Sequence, residues 1–315
     1  MNRGARRLAR ILSNRLLSLA GLFLVLSACA IAPSGSGEVE DAPRQPWRLL
    51  QAAPDTTGRF VQLGRPVAVA GWQDQIFIAD AGRGVIYRYD RAADRLLLFH
   101  TRPLSPAVRL EANAAGELYV TDPEAGQVLR LDVRGQVVQR FRDFNLNRPL
   151  ALCDDPRGGR LLVLDGPYQQ ILAFNRLGRL EEILQPRDEY GQPPGGLIDL
   201  AADADRFYLL DGARREVLMV DRQGRFVGRF GASRLRQPVA LVRDAAGRIL
   251  VADAFDNRLW LFPARRPAGA QARAVPLAGA WIRDLAVAEG WLYVADEGLG
   301  GVHILRLLPP AEATP

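Results

Sequence analysis

One pattern recurs six times along this chain of 315 residues: an apolar run ends in aspartate, a short turn follows, and a second, alternating run begins. The clearest copy spans residues 249–263. The aspartates that end the six first runs are Asp80, Asp122, Asp165, Asp211, Asp253 and Asp296, spaced 42 to 46 residues apart. A fixed period in this range indicates stacked supersecondary units, so the repeat constrains the fold before any other feature does.

Each copy divides into short runs rich in Val, Ile, Leu, Phe and Tyr, separated by turns that contain Gly or Asp. Runs of this length and composition predict antiparallel strands. A fourth run follows turns of the Asp/Asn-x-x-Gly type, as at 136–141, 180–184 and 225–230. Six units of four strands predict an all-β fold, a six-bladed β-propeller.

The ends of the chain must close such a ring. The sixth copy stops after 305–308 and runs into Pro309 and Pro310, so its fourth strand is missing. The run at 58–63 precedes the first copy and has no other partner. We therefore predict that an N-terminal strand at 58–63 completes blade six and leaves no unpaired sheet edge.

The repeats resemble the NHL family of six-bladed propellers. The resemblance rests on Pro-x-Ala-x at 66–69, 149–152 and 238–241, followed by a Gly-containing turn and the Val-Ala-Asp ending, and it spans about residues 58–307. It implies the propeller fold but no particular activity, since propellers host many unrelated functions. Copies four and six depart from the pattern, because Asp199 and Asp284 replace the small residue of the first strand.

The N-terminus has the features of a secretory signal peptide. Residues 1–15 are positively charged, residues 16–28 are apolar, and Leu26-Ser27-Ala28-Cys29 follows. The apolar run is too short to cross a bilayer comfortably. The Leu-Ser-Ala-Cys sequence resembles the lipobox of bacterial lipoproteins, which implies that Cys29 becomes lipidated by acyl chains such as palmitate. The alternative is an ordinary signal peptide with a chance cysteine.

The same resemblance implies a location and a domain plan. Ala30, rather than aspartate, follows Cys29, which in Gram-negative lipoproteins implies transport to the outer membrane. We predict a signal peptide at 1–28, a flexible tether at 29–46, the propeller at 47–309 and a tail at 310–315. The anchored domain would face the periplasm.

The charge of the chain argues against a nucleic-acid partner. The formal net charge is +6, but five arginines lie before residue 29 with no acidic residue to offset them, which leaves about +1 for the remainder. Nucleic-acid binding needs a concentrated basic surface. If lipid occupies Cys29, Cys153 is the only remaining thiol, so an intramolecular disulfide is excluded. Cys153 lies in an apolar run, which favours a buried structural cysteine over a nucleophile.

The first strands of a propeller line its central channel, and here the copies differ. Alignment on the second strand places Arg109, Asp199 and Asp284 at one level, with alanine in the other three copies, and Glu111 two residues further on. The residues between these positions are apolar and are expected to pack between blades. Three carboxylates and one arginine could bind a cation or a polar small molecule. A hydrated ion-pair network that satisfies the channel is the favoured interpretation.

The six turn aspartates also have two interpretations: a ring of carboxylates for a cation, or acceptors for backbone N–H groups in their own turns. The second is favoured because Asp has this role at turns. The insertion at 185–196 accounts for the longest spacing and is expected at the channel mouth, on the face of these aspartates. Its Arg187, Asp188, Glu189 and Tyr190 could contact a partner. A solvated loop is the favoured alternative.

Several chemistries find no support in the residues. Only two histidines occur, His100 and His303, both in strand-like runs, so neither a histidine-rich zinc site nor the multi-histidine centre of propeller lyases is expected. No Gly-x-Ser-x-Gly, His-Glu-x-x-His, CxxC or P-loop pattern is present. We therefore assign no catalytic residue.

The favoured function is a monomeric, lipid-anchored scaffold that binds other envelope proteins and needs no cofactor. The alternative is a calcium-dependent hydrolase of the lactonase type, which also has six blades and channel carboxylates. Glu111, Asp199 and Asp284 would then hold Ca²⁺. The metal site of that family typically includes asparagine, and none stands at the channel positions.

Overall fold

A computed structural model describes residues 48–102, 104–263, 272–277 and 281–307. These ranges contain 26 β-strands and no helix. Among them, therefore, no helix is of a length and hydropathy to span a membrane. The predicted signal peptide at 1–28, Cys29, the tether at 29–46 and the tail at 310–315 lie outside the described residues.

The strands form six antiparallel sheets of four strands, as the sequence predicts. Blade one contains β4 (Pro66–Trp72), β5 (Gln75–Asp80), β6 (Val85–Asp90) and β7 (Arg95–Thr101). Blade two contains β8 (Leu110–Ala112), β9 (Leu118–Asp122), β10 (Gln127–Leu131) and β11 (Val137–Phe141). Blade three contains β12 (Pro149–Asp154), β13 (Arg160–Asp165), β14 (Gln170–Asn175) and β15 (Leu180–Leu184).

Blades four and five repeat this order. Blade four contains β16 (Leu197–Ala202), β17 (Arg206–Asp211), β18 (Glu216–Asp221) and β19 (Phe226–Phe230). Blade five contains β20 (Pro238–Arg243), β21 (Ile249–Asp253), β22 (Arg258–Phe262) and β23 (Arg273–Pro276). Each turn aspartate ends the second strand of its blade.

Blade six joins the two ends of the described chain. It contains β24 (Ile282–Ala288), β25 (Trp291–Asp296) and β26 (Gly301–Arg306), and its outer strand is β1 (Arg48–Leu50). Arg48 lies opposite Ile304 and Leu50 lies opposite Val302. An N-terminal strand therefore closes the last blade, which confirms that part of the prediction.

The identity of the closing strand was predicted wrongly. The run at 58–63 contributes β3 (Phe60–Gln62), which pairs with β2 (Ala52–Pro54) in a separate hairpin. The turn at Asp55 makes this local pairing favourable: its carboxylate accepts N–H bonds from Thr57 and Arg59, at 2.7 and 3.1 Å. Gly58 supplies a left-handed residue (φ 83°) within that turn. Local turn chemistry therefore keeps β3 out of the ring.

The hydrophobic core lies between neighbouring blades. Six clusters of buried side chains occupy the six blade-to-blade interfaces; the cluster between blades six and one, for example, joins Tyr293 and Ile304 to Ile78 and Tyr89. Because each blade buries one face against each neighbour, its strands are apolar on both faces. This explains why the second strands read as continuous apolar runs rather than as alternating ones.

The outer turns contribute to the same interfaces. In blade four, Gly224 has φ 80°, and a Cβ atom added there would lie 2.9 Å from the Gln185 carbonyl oxygen of the preceding segment. The position requires glycine for both its backbone angle and this close approach. The recurring Asp/Asn-x-x-Gly sequence thus encodes packing between successive blades as well as a turn.

Candidate functional site

The first strands of the six blades surround a central cavity of about 270 Å³. Its wall begins at the level of Val69, Arg109, Asp199 and Asp284 and extends toward the ends of the strands, at Asp154 and Arg243. The cavity therefore extends away from the face that carries the turn aspartates. Most of the lining residues are small or apolar, but polar atoms make up most of the exposed wall, so the charged side chains define its chemistry.

The strand registers place the channel residues at the predicted levels. Asp199 lies opposite Leu210, and Asp284 lies opposite Ala295, at the position that Ala68 and Ala79 occupy in blade one. Glu111 lies opposite Tyr119, one level further along the strand. The four residues selected from sequence therefore come together in one cavity.

The separation of channel-facing and blade-facing residues is less strict than predicted. The intervening residues Val69, Leu152 and Leu200 belong to the clusters between blades, as expected, but they also border the cavity. A first strand presents its edge, rather than one of its faces, to the propeller axis. Residues at alternate positions along the strand, whichever way their side chains point, therefore reach the cavity wall.

The three cavity carboxylates connect neighbouring blades. Asp199 Oδ2 in blade four accepts the Leu241 N–H of blade five at 2.7 Å, and Asp284 Oδ2 in blade six accepts the Val69 N–H of blade one at 3.0 Å. Glu111 Oε1 in blade two accepts the Asp154 N–H of blade three at 3.0 Å. We call these contacts the three clasps.

The clasps satisfy a requirement that the fold itself creates. The N–H groups on the inner edge of a first strand have no neighbouring strand within their blade, and an unpaired buried N–H is costly. Every second blade supplies a carboxylate to the next blade. The sequence favoured a hydrated ion-pair network, whereas the hydrogen bonds of these carboxylates run to backbone N–H groups of the next blade.

The arginines of the cavity are held less tightly. Arg109 Nε lies 3.9 Å from Asp284 Oδ1, and its Nη1 donates to the Val108 carbonyl at 3.2 Å. Arg243, which the sequence interpretation missed, lines the far part of the wall, with its Nε 4.0 Å from Asp203 Oδ2. Asp154, also missed, is paired with Arg176 at 2.8 Å.

Burial raises the pKa of the cavity carboxyls. It raises the pKa of Glu111 to about 8, with further increases from the negative charges of Asp154, Asp199 and Asp284. It raises the pKa of Asp199 to about 7, although the Arg109 charge acts in the opposite direction. The pKa of Asp284 is also raised by burial, again opposed by Arg109.

These directions determine how pH acts on stability. Between the ordinary carboxyl pKa, near 4, and the raised values, the folded chain holds protons that the unfolded chain has released. Stability therefore falls as pH rises through this window. The clasps tolerate protonation, because the carbonyl oxygen of a neutral carboxyl group still accepts an N–H bond.

The six turn aspartates accept hydrogen bonds from the chain around them. Asp80, for example, accepts the N–H groups of Gly64 and Arg65 at 2.6 and 2.9 Å, and Asp253 accepts those of Arg236 and Gln237 at 2.6 and 3.1 Å. All except Asp122 are almost fully buried. Asp80, Asp165, Asp253 and Asp296 accept backbone N–H groups of the segment that enters the first strand of their own blade. Asp122 and Asp211 accept backbone N–H groups of their own turns instead, from Ala125 and Arg214.

The insertion at 185–196 contacts blade four and is not part of the cavity wall. Asp188 is buried and pairs with Arg214 at 2.9 Å, and Glu189 pairs with Arg229 at 2.6 Å. Arg187 donates its backbone N–H to Gly224 at 2.9 Å. Of the four residues predicted to contact a partner, only Tyr190 is strongly exposed. The insertion thus lies on the face of the turn aspartates, as expected from the sequence. It does not border the cavity, although the sequence prediction placed it at the channel mouth.

The cysteine and the histidines have structural surroundings. Cys153 lines the cavity and is only half-buried, so the prediction of a buried cysteine was partly wrong. Desolvation raises the pKa of its thiol well above the ordinary value, which disfavours the nucleophilic thiolate. His100 Nδ1 lies 2.8 Å from the Gly135 carbonyl, and His303 Nε2 lies 2.8 Å from Asp296 Oδ2. Neither histidine lines the cavity.

Across the described ranges, no group of three or more His, Cys, Asp and Glu side chains is positioned to hold a metal ion. Glu111, Asp199 and Asp284 each direct an oxygen toward a backbone N–H group instead.

Tyr190 was selected from the sequence, but four other exposed aromatic side chains were missed. Phe144, Tyr168, Phe255 and Trp281 are strongly exposed, and all lie in turns or loops on the face of the turn aspartates. An aromatic residue in a polar turn is a signal that the sequence alone could have shown. That these side chains share one face becomes evident only from the arrangement of the blades.

No family model matches the chain, and no curated protein matches it in sequence. Similar solved structures do exist. Virginiamycin B lyase from Staphylococcus aureus is 14% identical, with a TM-score of 0.58 over 84% of this chain and 100% of that one. A streptogramin B lyase is 11% identical, with a TM-score of 0.59 over 83% and 98%.

A third similar structure is a catalytically inactive variant of the S. aureus lyase with quinupristin, at 14% identity and a TM-score of 0.57 over 85% of this chain and 90% of that one. Identities this low show a shared architecture alone. The chain therefore has the six-bladed β-propeller fold of these lyases.

Proposed function

We propose that this chain is a lipid-anchored β-propeller that faces the periplasm from the outer membrane and binds other envelope proteins as a monomeric scaffold. In this proposal, Cys29 carries the lipid, residues 29–46 act as the tether, and the propeller presents its outer surface to partners. Two or more acyl chains would suffice for stable anchoring.

The binding role is supported by the hydrogen bonds that the cavity carboxyl groups make. Each of the three directs an oxygen to a backbone N–H group of the next blade, so these acids already have a structural role. A scaffold needs a rigid ring and an accessible exterior, and the clasps supply the first of these. Binding is then expected on the loops outside the cavity.

The lyase-like fold does not favour lyase chemistry in this chain. In the catalytically inactive variant of the S. aureus lyase, a histidine is replaced by alanine. In the chain described here, His100 lies in the outer strand of blade one, and His303 lies in the third strand of blade six. Neither is placed to act on a molecule in the cavity.

The anchor is tested by fractionating the envelope of a Gram-negative host that expresses the full chain. We expect the wild type in the outer-membrane fraction, labelled by radioactive palmitate, and Cys29→Ser in the soluble fraction without label. Cys153→Ser is the matched control and should behave as the wild type. If Cys29→Ser remained membrane-bound and labelled, lipidation at this residue would be disproved.

The second candidate, a calcium-dependent hydrolase, is favoured by one observation: Glu111, Asp199 and Asp284 share a cavity with two arginines. Thermal unfolding with increasing Ca²⁺ separates the two functions. The scaffold proposal expects no rise in melting temperature. A rise in the wild type that disappears in Asp199→Asn/Asp284→Asn would support the hydrolase instead.

A further inference from the structure

The exposed aromatic side chains of the described chain are unevenly distributed. Six are strongly exposed, and five of them lie on the face of the turn aspartates: Phe144, Tyr168, Tyr190, Phe255 and Trp281, between 59% and 90% exposed. The sixth, Phe60, lies in the N-terminal hairpin. The exposed aliphatic residues, such as Val138 and Leu177, lie instead in outer strands and their connecting turns.

Arginines gather on the same face. Its turns and loops contain eight exposed arginines: Arg65, Arg83, Arg142, Arg148, Arg214, Arg215, Arg234 and Arg236. In the described turns and loops of this face, Glu124 is the single acidic residue in the same exposure class. The most exposed charges of this face are therefore mostly arginines, although Arg65, Arg214 and Arg236 pair with Glu297, Asp188 and Asp256 on the same face. We call it the arginine–aromatic face.

Contacts position one pair of side chains and two further residues of this face before any partner binds. The Arg236 guanidinium lies 4.9 Å from the centre of the Phe255 ring. A Cβ atom added to Gly298 would lie 3.1 Å from Trp281 Cβ, so this glycine leaves room for the tryptophan. The buried Asp188 carboxylate accepts the Tyr190 N–H at 3.0 Å. Side chains that are already ordered lose less entropy on binding.

From these observations we propose that the arginine–aromatic face binds an acidic protein segment that also carries apolar side chains. Arginine forks pair with carboxylates in a bidentate manner, and exposed aromatic rings supply the apolar anchors typical of binding hot spots. The inference rests on the proposed scaffold function and names the surface and the partner chemistry.

The path of the described chain favours a protein over the bilayer as the occupant. β1 runs antiparallel to β26, with Leu50 nearer the arginine–aromatic face and Arg48 farther from it. The propeller is thus entered from the opposite side. An anchor upstream of Arg48 is compatible with this face pointing away from the membrane.

The test measures binding of a fluorescent 20-residue peptide of glutamate with interspersed tyrosine and leucine to the full chain in detergent. We expect binding that weakens as salt rises, and roughly tenfold weaker binding when glutamine replaces every glutamate in the peptide. Phe255→Ala/Trp281→Ala and Arg148→Gln/Arg215→Gln should each weaken it by roughly tenfold.

The matched controls lie off the face. Phe60→Ala/Leu177→Ala and Arg134→Gln/Arg179→Gln remove the same kinds of exposed side chain elsewhere and should leave the affinity within about twofold of wild type. Equal effects of the two sets, or no preference for glutamate, would overturn the inference. Equally tight binding of phosphatidylglycerol vesicles or of a single-stranded oligonucleotide through the same residues would also overturn it.

A second measurement separates failure of this inference from failure of the scaffold function. Two variants are expressed in living cells. One carries a photo-cross-linking residue in place of Tyr168 on the arginine–aromatic face, and the other carries it in place of Val138 in an outer strand. Acidic envelope proteins cross-linked from position 168 alone support both proposals. Cross-links from position 138 alone overturn the inference but leave the scaffold function standing, and their absence from both positions overturns both.

Discussion

Replacing Asp199 by leucine is expected to lower the free energy of unfolding by about 3 kcal/mol. The substitution removes the acceptor of the Leu241 N–H across the blade interface and of the Leu200 N–H within its own strand. Each unsatisfied buried donor costs about 1–3 kcal/mol. Urea unfolding monitored by fluorescence measures the difference.

Asp199→Asn is the matched control. The asparagine oxygen keeps an acceptor for the Leu241 N–H, so at pH 5.5 the variant should lie within about 1 kcal/mol of wild type. It also removes a carboxyl group whose pKa is raised from 3.8 to about 7. The stability that wild type loses between pH 5.5 and pH 8 should therefore be smaller in Asp199→Asn.

Two outcomes would contradict the role of the clasp. Leucine and asparagine variants of equal stability would show that the Leu241 N–H needs no acceptor. The wild type and Asp199→Asn could also gain the same stability from pH 5.5 to pH 8. That result would show that the cavity carboxyl groups are not held in their protonated form.

The second large effect is expected at the closure of the ring. Replacing residues 48–50 by Gly-Ser-Gly in the full chain should cost about 4 kcal/mol. The change removes Leu50, which is fully buried, and exposes the edge of β26. Burial of one leucine contributes about 2–3 kcal/mol, and lost strand pairing adds to this. Chemical denaturation reports the loss.

The same replacement at residues 60–62 is the control, because it alters the strand that the sequence had assigned to closure. β3 pairs only with β2 in the described chain, and Phe60 is largely exposed, so the cost should be at least about twofold smaller. If the variant at 60–62 were the less stable one, the closure of blade six by β1 would be wrong.

Features that repeat were predictable from the sequence. The apolar run ending in aspartate gave six blades, and aligning the copies placed Arg109, Asp199 and Asp284 at one level, as the strand registers do. Copies that share a backbone geometry can be compared position by position. The departures from the repeat at Asp199 and Asp284 then pointed to the cavity.

Features that depend on a choice between distant partners were not predictable. β1 has three residues, too few for a periodic pattern, and only the vacant edge of β26 selects it over 58–63. Likewise, no pattern within the sequence shows that a carboxylate in blade four meets an N–H group in blade five. The arginine–aromatic face is assembled from loops of several blades, so its members share no sequence spacing.

The central claim is that the cavity carboxylates fasten the ring, and amide hydrogen exchange tests it most directly. The amides of Val69, Asp154 and Leu241 should exchange slowly in the wild type. In Asp284→Ala, Glu111→Ala and Asp199→Ala, respectively, only the corresponding amide among the three should lose most of its protection. Fast exchange of these amides in the wild type, or protection unchanged by the substitutions, would contradict the claim.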